Sequence, residues 1–234
     1  MWTFYLKAQP GDPNRATWLD GSADSDATPD IWGLFTIDEE RGTVFVPIEK
    51  VGSDYWGGSN HGNNLYSDSL VALDAATGKM KWFRQLVHHD IWDYDLAAAP
   101  MLVDVRRGGR TIPAVAQQTK MALLFIFNRE TGEPIFGIEE RKVPQTSAPG
   151  EWTSPTQPFP VKPPPLARNS LKRSELSKVT PEHQGVLRGP VGQIQARRTP
   201  CRTIRGASGQ DILVFPARRA AATGTARPSA NRSG

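Results

Sequence analysis

The chain has 234 residues, 38% of them hydrophobic, a formal net charge of +4 and one cysteine, Cys201. A single cysteine excludes an internal disulfide and a cysteine-based zinc cluster, and no apolar run reaches the ~18 residues that a membrane-spanning helix needs. The 21 Gly and 20 Pro favour turns and short strands. Since the N-terminus lacks a basic region followed by an apolar run, we expect no signal peptide here and a fragment of a longer protein.

The charge is distributed unevenly along the chain. Residues 185–234 contain nine Arg, no Lys and one acid, Asp211, whereas acids outnumber bases before them. All seven Trp precede residue 153, and Phe215 is the one aromatic residue after Pro160. This Arg-, Ala- and Gly-rich composition favours a disordered tail or a disrupted reading frame. The remaining alternative is that the Arg residues bind nucleic acid, which we do not expect.

Three segments share one local design, in which an apolar strand is followed by Asp or Asn, three residues, Gly and a second strand. They run from Phe35 to Val46, from Leu70 to Trp82 and from Phe125 to Phe136. The Asp or Asn side chain accepts backbone N–H groups in the turn, and Gly supplies the positive φ that closes a hairpin. The turns recur after 36 and then 54 residues. This spacing predicts a β-propeller, whose blades recur every ~40–50 residues, with an antiparallel sandwich as the alternative.

The regions around these hairpins have their own signals. Two further strands are predicted at 100–105 and 112–116. Residues 51–66 are rich in Gly, Asn and aromatic residues, and they form a long connection of the kind that often builds a site. The Pro-rich segment 143–165 is predicted to be extended and to run over a surface. Residues 170–177 are compatible with one or two helical turns.

The most concentrated titratable chemistry lies in residues 88–95, which read His-His-Asp-Ile-Trp-Asp-Tyr-Asp. A carboxylate packed beside apolar rings acquires a raised pKa and can act as a general base. The alternative is a solvated, charge-rich loop. Two adjacent histidines on a strand point to opposite faces, so His88 and His89 are poorly placed to share a transition-metal ion.

Several motifs together resemble those of the pyrroloquinoline quinone (PQQ) dehydrogenases. The run from Ser69 to Trp82 is similar to the family's tryptophan-docking motif, and the octet 88–95 resembles its active-site segment. Like residues 151–160 and 162–165, the octet is most similar to the glucose-dehydrogenase-like branch. The resemblance extends from about residue 2 to residue 184.

The resemblance implies an all-β fold, namely an eight-bladed propeller with the quinone at its centre. This chain is long enough for about three blades. We therefore expect a partial propeller over residues 1–165, an extension of the same family region over 166–184, and a poorly ordered or frame-disrupted tail over 185–234. Unpaired blade edges would make such a piece unstable alone or prone to associate.

The resemblance also assigns roles to individual residues. Asp93 matches the catalytic base, which takes the proton of the substrate hydroxyl, and Lys120 follows at the family's interval to contact the quinone oxygens. Trp32 matches the floor on which the planar cofactor stacks. Asp54 is the candidate oxygen ligand for Ca²⁺ or Mg²⁺. The alternative roles are a turn-forming residue for Asp93, a surface residue for Lys120 and docking between blades for Trp32. Docking between blades is the role that we expect for Trp82.

These roles imply a fragment of a quinoprotein dehydrogenase that oxidises a sugar or alcohol hydroxyl with PQQ as electron acceptor. Electrons would pass to a quinone or a cytochrome, and the family's location implies the bacterial periplasm. The fragment alone is expected to be inactive. In the resembling family the two histidines line or underlie the pocket, while Asp90 and Asp95 are expected to bond backbone groups. The alternative function is an inactive propeller that serves as a binding or assembly module.

Overall fold

The computed structural model describes residues 1–146, 148–168 and 179–182. Within these residues the fold is built from strands with two short 3-10 helices, Pro13–Thr17 and Ser22–Asp24. The strands are β1 (Thr36–Asp38), β2 (Thr43–Pro47), β3 (Ser69–Asp74), β4 (Met80–Gln85), β5 (Met101–Arg107), β6 (Arg110–Gln118), β7 (Leu124–Asn128), β8 (Ile138–Lys142) and β9 (Thr156–Pro160). The helices of this described part are all too short or too polar to cross a membrane.

The strands form three antiparallel sheets with the orders β1-β2-β3-β4, β5-β6-β7 and β8-β9. In each sheet, strands that are consecutive in the chain are neighbours, which is the meander topology of propeller blades. The all-β prediction and the prediction of a partial propeller are therefore confirmed. The predicted strands at 100–105 and 112–116 correspond to β5 and β6.

The two spacings between the hairpins have different structural meanings. Strand β2 pairs with β1 on one edge and with β3 on the other, so the first two hairpins belong to a single sheet. The 36-residue spacing is thus internal to one blade, and only the 54-residue spacing leads from one blade to the next. The turn sequence does not distinguish these cases, because the same Asp-to-Gly chemistry closes any tight hairpin.

Tryptophan side chains dock against the turn glycines. Trp82 on β4 donates from Nε1 to the Arg129 carbonyl at 2.9 Å, and its indole covers Gly132 of the next sheet. This confirms the docking role that the sequence predicts for Trp82. Trp2 covers Gly78 in the same manner and donates to the Ala75 carbonyl at 3.0 Å. The role of Trp2 was not predicted, since the carbonyl to which it donates lies 73 residues further along the chain.

The octet 88–95 connects β4 to β5 and is anchored in the core. Its apolar side chains Ile91, Trp92 and Tyr94 are buried in one hydrophobic cluster with residues of the first two sheets. The alternative of a solvated loop is therefore wrong. Burial of each large apolar side chain stabilises the folded loop by about 1.5–3 kcal/mol. Burying these three side chains therefore holds the intervening acids in fixed positions.

The Pro-rich segment also differs from its prediction. Rather than lying extended on a surface throughout, it contributes β9, which pairs with β8, and it buries Val143 and Phe159 in the core. Prolines at alternating positions of β9, Pro158 and Pro160, place both missing N–H groups along the same edge of the strand, so the other edge remains able to pair. The predicted helical turns at 170–177 and the tail 185–234 lie outside the described residues.

Candidate functional site

The octet forms an irregular loop in which residues 89 and 93 have left-handed backbone conformations. The carboxylate of Asp90 accepts hydrogen bonds from the backbone N–H groups of Trp92 at 2.7 Å and Tyr94 at 2.6 Å. Asp93 lies between these two donors with φ of 63°. Asp90 therefore braces the turn from the inside, as its predicted backbone-bonding role requires, and this turn carries Asp93, whose side chain remains partly exposed.

Asp93 and Lys120 meet, although 27 residues separate them. The Nζ atom of Lys120 lies 3.5 Å from Oδ2 of Asp93 and 2.7 Å from Oδ2 of Asp95. Lys120 occupies the turn between β6 and β7, whereas Asp93 lies in the connection from β4 to β5. The contact therefore depends on how the second sheet packs against this connection. Both side chains of the predicted pair retain 17–18% exposure. The pair is thus partly dehydrated yet reachable from solvent.

Trp32 joins the same group from the segment before β1. The Nζ atom of Lys120 lies 5.4 Å from the centroid of its indole, within cation–π range. The residue is 56% exposed, whereas its backbone is fixed, since Oε1 of buried Glu49 accepts the N–H groups of Trp32 at 3.0 Å and Gly33 at 3.2 Å. An indole that is held from behind and open in front can accept a flat partner.

Asp54, the predicted metal ligand, lies in the loop between β2 and β3 and is exposed. Its carboxylate is close enough to raise the pKa of Asp93. Asp54 therefore lies near enough to Asp93 for the two carboxylate charges to repel each other. The contacts do not assign a ligand role to it.

The site's electrostatics suit a base. Burial, and then the negative charge of Asp95, raise the pKa of Asp93 to about 6, against the opposing charge of Lys120. Burial lowers the pKa of Lys120, but the hydrogen bond that Lys120 donates to Asp95 and the charges of both acids outweigh burial and leave that pKa above its ordinary value. Asp93 is therefore more basic than an ordinary Asp while Lys120 stays charged beside it.

The two histidines have separate structural partners. The ring of His88 contacts Gln85 at 2.7 Å and Glu140 at 3.1 Å. His89 is fully buried, and its Nδ1 lies 2.8 Å from the Gly62 carbonyl. Neither lies on a strand, so the expected strand geometry was wrong; the rings nevertheless point to different partners and do not share a site.

Three residues of this region were not predicted: Glu49, Lys50 and Asp68. All are buried, and Glu49 and Lys50 lie just after β2, separated from its end by Ile48. Burial raises the pKa of Glu49 to about 7, and the charge of Asp95 adds to this. The available sequence signal was an acid–base pair enclosed in a run of apolar residues, Pro47 to Val51, where charges are expected to be exposed.

The three sheets, the docked tryptophans and a polar site beside an exposed indole define a partial propeller of the tryptophan-docking type. Residues 1–223 match the family model named PQQ, the glucose/ethanol/alcohol dehydrogenase β-propeller domain. The chain belongs to this family of quinoprotein dehydrogenases, and its similarity to quinoprotein glucose dehydrogenases confirms the predicted branch. The family match continues past residue 184, where the resemblance was expected to end.

Two of the curated relatives share 38% of aligned positions with this chain. The quinate/shikimate dehydrogenase (quinone) of Acinetobacter baylyi is 38% identical over 159 residues, covering 67% of this chain and 20% of the relative. The quinoprotein glucose dehydrogenase of Gluconobacter oxydans is 38% identical over 161 residues, covering 68% and 20%. The chain thus spans about a fifth of these relatives. A europium-containing methanol dehydrogenase matches the fold, with TM-score 0.51, 20% identity, and 64% and 26% coverage.

The residues present fit the cofactor that the family implies. PQQ is a flat, anionic quinone, and the open indole of Trp32 with the Lys120 ammonium 5.4 Å from its centroid offers a stacking face and a positive charge. Asp54 supplies carboxylate oxygens of the kind that Ca²⁺ and Mg²⁺ prefer. The donors beside the indole are therefore suited to a planar acid with a hard cation.

Proposed function

We propose that this chain contributes the catalytic segment of a PQQ-dependent dehydrogenase that oxidises a hydroxyl group of a sugar or related alcohol. The observation that carries the proposal is the convergence of Asp93, Lys120 and Trp32. These residues come from three separate segments, and 88 residues separate Trp32 from Lys120. A structural salt bridge alone gives no reason for an exposed indole beside it.

Asp93 is the proposed general base. Its carboxylate takes the proton of the substrate hydroxyl, and a pKa of about 6 makes it both mostly ionised and more basic than an ordinary Asp at neutral pH. Asp90 fixes the turn on which Asp93 stands. The raised pKa of Asp93 comes mainly from burial, so the packing that excludes water from this carboxylate also makes it a stronger base.

Lys120 and Trp32 are the proposed cofactor-binding residues. Trp32 orients a planar ring by stacking, and Lys120 neutralises negative charge on its oxygens. Bound PQQ supplies the two-electron acceptor that the side chains of this chain cannot. Asp54 would contribute a carboxylate oxygen to a Ca²⁺ or Mg²⁺ ion held with the cofactor, and it lies near enough to Asp93 to raise the pKa of that carboxyl.

The relatives support the proposed substrate class. Those compared are named for quinate or shikimate, glucose and glycerol. Their shared chemistry is a secondary or hemiacetal hydroxyl on a polyhydroxylated carbon skeleton. Transfer of electrons to a quinone or a cytochrome, and a periplasmic location, are part of the same proposal and rest on this family likeness.

The test separates cofactor binding from proton transfer. The chain, titrated with PQQ and Ca²⁺, is expected to show quenched tryptophan fluorescence and quinone absorbance, and Asp93→Asn is expected to retain both. For turnover, the aligned segment of the Gluconobacter oxydans glucose dehydrogenase is replaced by this chain. The chimera should reduce a dye with glucose, and Asp93→Asn should lower kcat by 10³-fold or more, as expected when a general base is lost.

The alternative, an inactive propeller that acts as a binding or assembly module, gives different results. It predicts no PQQ binding by the chain or by the chimera. Full dye reduction by the Asp93→Asn chimera would instead contradict the role of Asp93 while leaving cofactor binding in place.

A further inference from the structure

A second group of acids lies behind the candidate active site. One carboxylate oxygen from each of Asp68, Asp90 and Asp95 lies within 4.8 Å of the others, and all three side chains are buried. Asp68 immediately precedes β3, whereas Asp90 and Asp95 come from the octet. The cluster therefore joins the start of a central strand to the loop that presents Asp93.

Asp68 gives this cluster its significance. Its relative exposure is 0%, and neither of its carboxylate oxygens has a hydrogen-bond partner. Its backbone N–H donates to the Glu49 carbonyl and its own carbonyl accepts from Leu86, so the main chain is fully engaged. Burying a charged carboxylate without hydrogen-bond partners is strongly unfavourable. The two buried oxygens of Asp68 therefore indicate a ligand that the protein atoms do not supply.

The charges around Asp68 leave a negative excess. Three other buried carboxylates and two ammonium groups belong to this region: Asp90, Asp95, Glu49, Lys50 and Lys120. The ammonium of Lys50 donates to the carbonyls of Val51 and Ser53, and that of Lys120 to Asp95. Lys120 is shared with Asp93, so five acids face two bases and the region keeps a formal negative excess when all are ionised. One divalent cation would offset most of it.

We propose that Asp68, Asp90 and Asp95 form a buried site for a hard divalent cation such as Ca²⁺, distinct from any ion held with the cofactor. Asp68 offers both oxygens. Each oxygen of Asp90 and Asp95 accepts one hydrogen bond and retains a further lone pair. Carboxylate oxygens are the ligands that Ca²⁺ prefers. By binding Asp68 beside β3 together with Asp90 and Asp95 of the octet, the ion would hold the octet against this strand.

This inference does not depend on the proposed function. The probe is Ca²⁺ alone, added without PQQ to the chain after treatment with a chelator. Calorimetry should detect one tight site, and the thermal unfolding midpoint should rise with Ca²⁺. The isosteric change Asp68→Asn should weaken Ca²⁺ binding at least tenfold and remove the rise in the midpoint, because it deletes one charge and one ligand oxygen.

A control variant separates this site from the rest of the surface. Asp26→Asn removes an exposed acid elsewhere and should bind Ca²⁺ as the wild type does. Asp68→Asn relieves repulsion in the cation-free chain and should fold at least as stably as the wild type, which circular dichroism checks. The proposal is overturned if the wild type does not respond to Ca²⁺ or if Asp68→Asn responds equally.

Discussion

The indole of Trp82 covers Gly132 so closely that a Cβ atom added to Gly132 would lie 2.6 Å from the Cδ2 atom of Trp82. Trp82 stands on the last strand of one sheet, and Gly132 closes the turn after the last strand of the next. Since the side chain also donates to the Arg129 carbonyl, one residue fixes the spacing between two blades. The relative position of Asp93 and Lys120 depends on that spacing, because they lie in the connections on either side of this junction.

Gly132→Ala is expected to destabilise the chain by about 2–4 kcal/mol, since it adds strain at φ of 69° to a clash with Trp82. Gly42→Ala is the matched control: Gly42 closes the same type of turn at φ of 53°, but a Cβ there meets nothing within 4 Å. Its expected cost is about 1 kcal/mol from the backbone alone. Urea denaturation measures both, and equal losses would contradict the docking argument.

Lys120→Met is expected to weaken PQQ binding by about 10–100-fold, corresponding to the loss of a charge-assisted contact worth about 1.5–3 kcal/mol. The effect has a local cause, since Lys120 is the ammonium within 5.4 Å of the Trp32 centroid. Lys79→Met removes an exposed Lys from a turn and should leave the affinity unchanged. Tryptophan fluorescence titration compares the two, and an equal loss in both would indicate unspecific charge attraction.

Glu49→Ala is expected to cost about 2–3 kcal/mol of stability, because it leaves the N–H groups of Trp32 and Gly33 without their acceptor. Loss of that anchor frees the indole, so PQQ affinity should fall as well. Glu49→Gln keeps an acceptor oxygen and should retain most of both properties. Chemical denaturation and PQQ titration make the comparison; if Gln and Ala behave alike, the charge of Glu49 matters rather than its acceptor.

The sequence predicted the fold class from its repeated hairpins, and it predicted the convergence of Asp93, Lys120 and Trp32 through the resemblance of its motifs to those of one family. It failed where the outcome depended on partners far away in the chain. Asp68 reads as an ordinary turn residue until the octet packs over it. In the same way, the prolines of β9 read as a surface segment until β8 supplies a partner. Burial of polar groups is decided by tertiary packing, which local patterns do not encode.

His89 provides the pH-dependent prediction. Burial lowers its pKa from 6.5 in the unfolded chain to about 4. The fold therefore favours neutral His89; its contribution to stability is present above pH 6.5 and is lost as the pH falls towards 4. The stability of the wild type relative to His89→Gln should decline by about 3 kcal/mol across this window. Gln retains a donor for the Gly62 carbonyl.

His61→Gln is the control with the opposite sign. The hydrogen bond to Asp20 raises the pKa of His61, so its contribution is present below pH 6.5 and is lost as the pH rises through the raised value. The stability of the wild type relative to His61→Gln should therefore decline slightly towards alkaline pH, and the effect stays small because both partners are partly exposed. Urea denaturation at several pH values measures both differences. If the two variants changed with pH in the same direction, general acid unfolding rather than burial of His89 would explain the result.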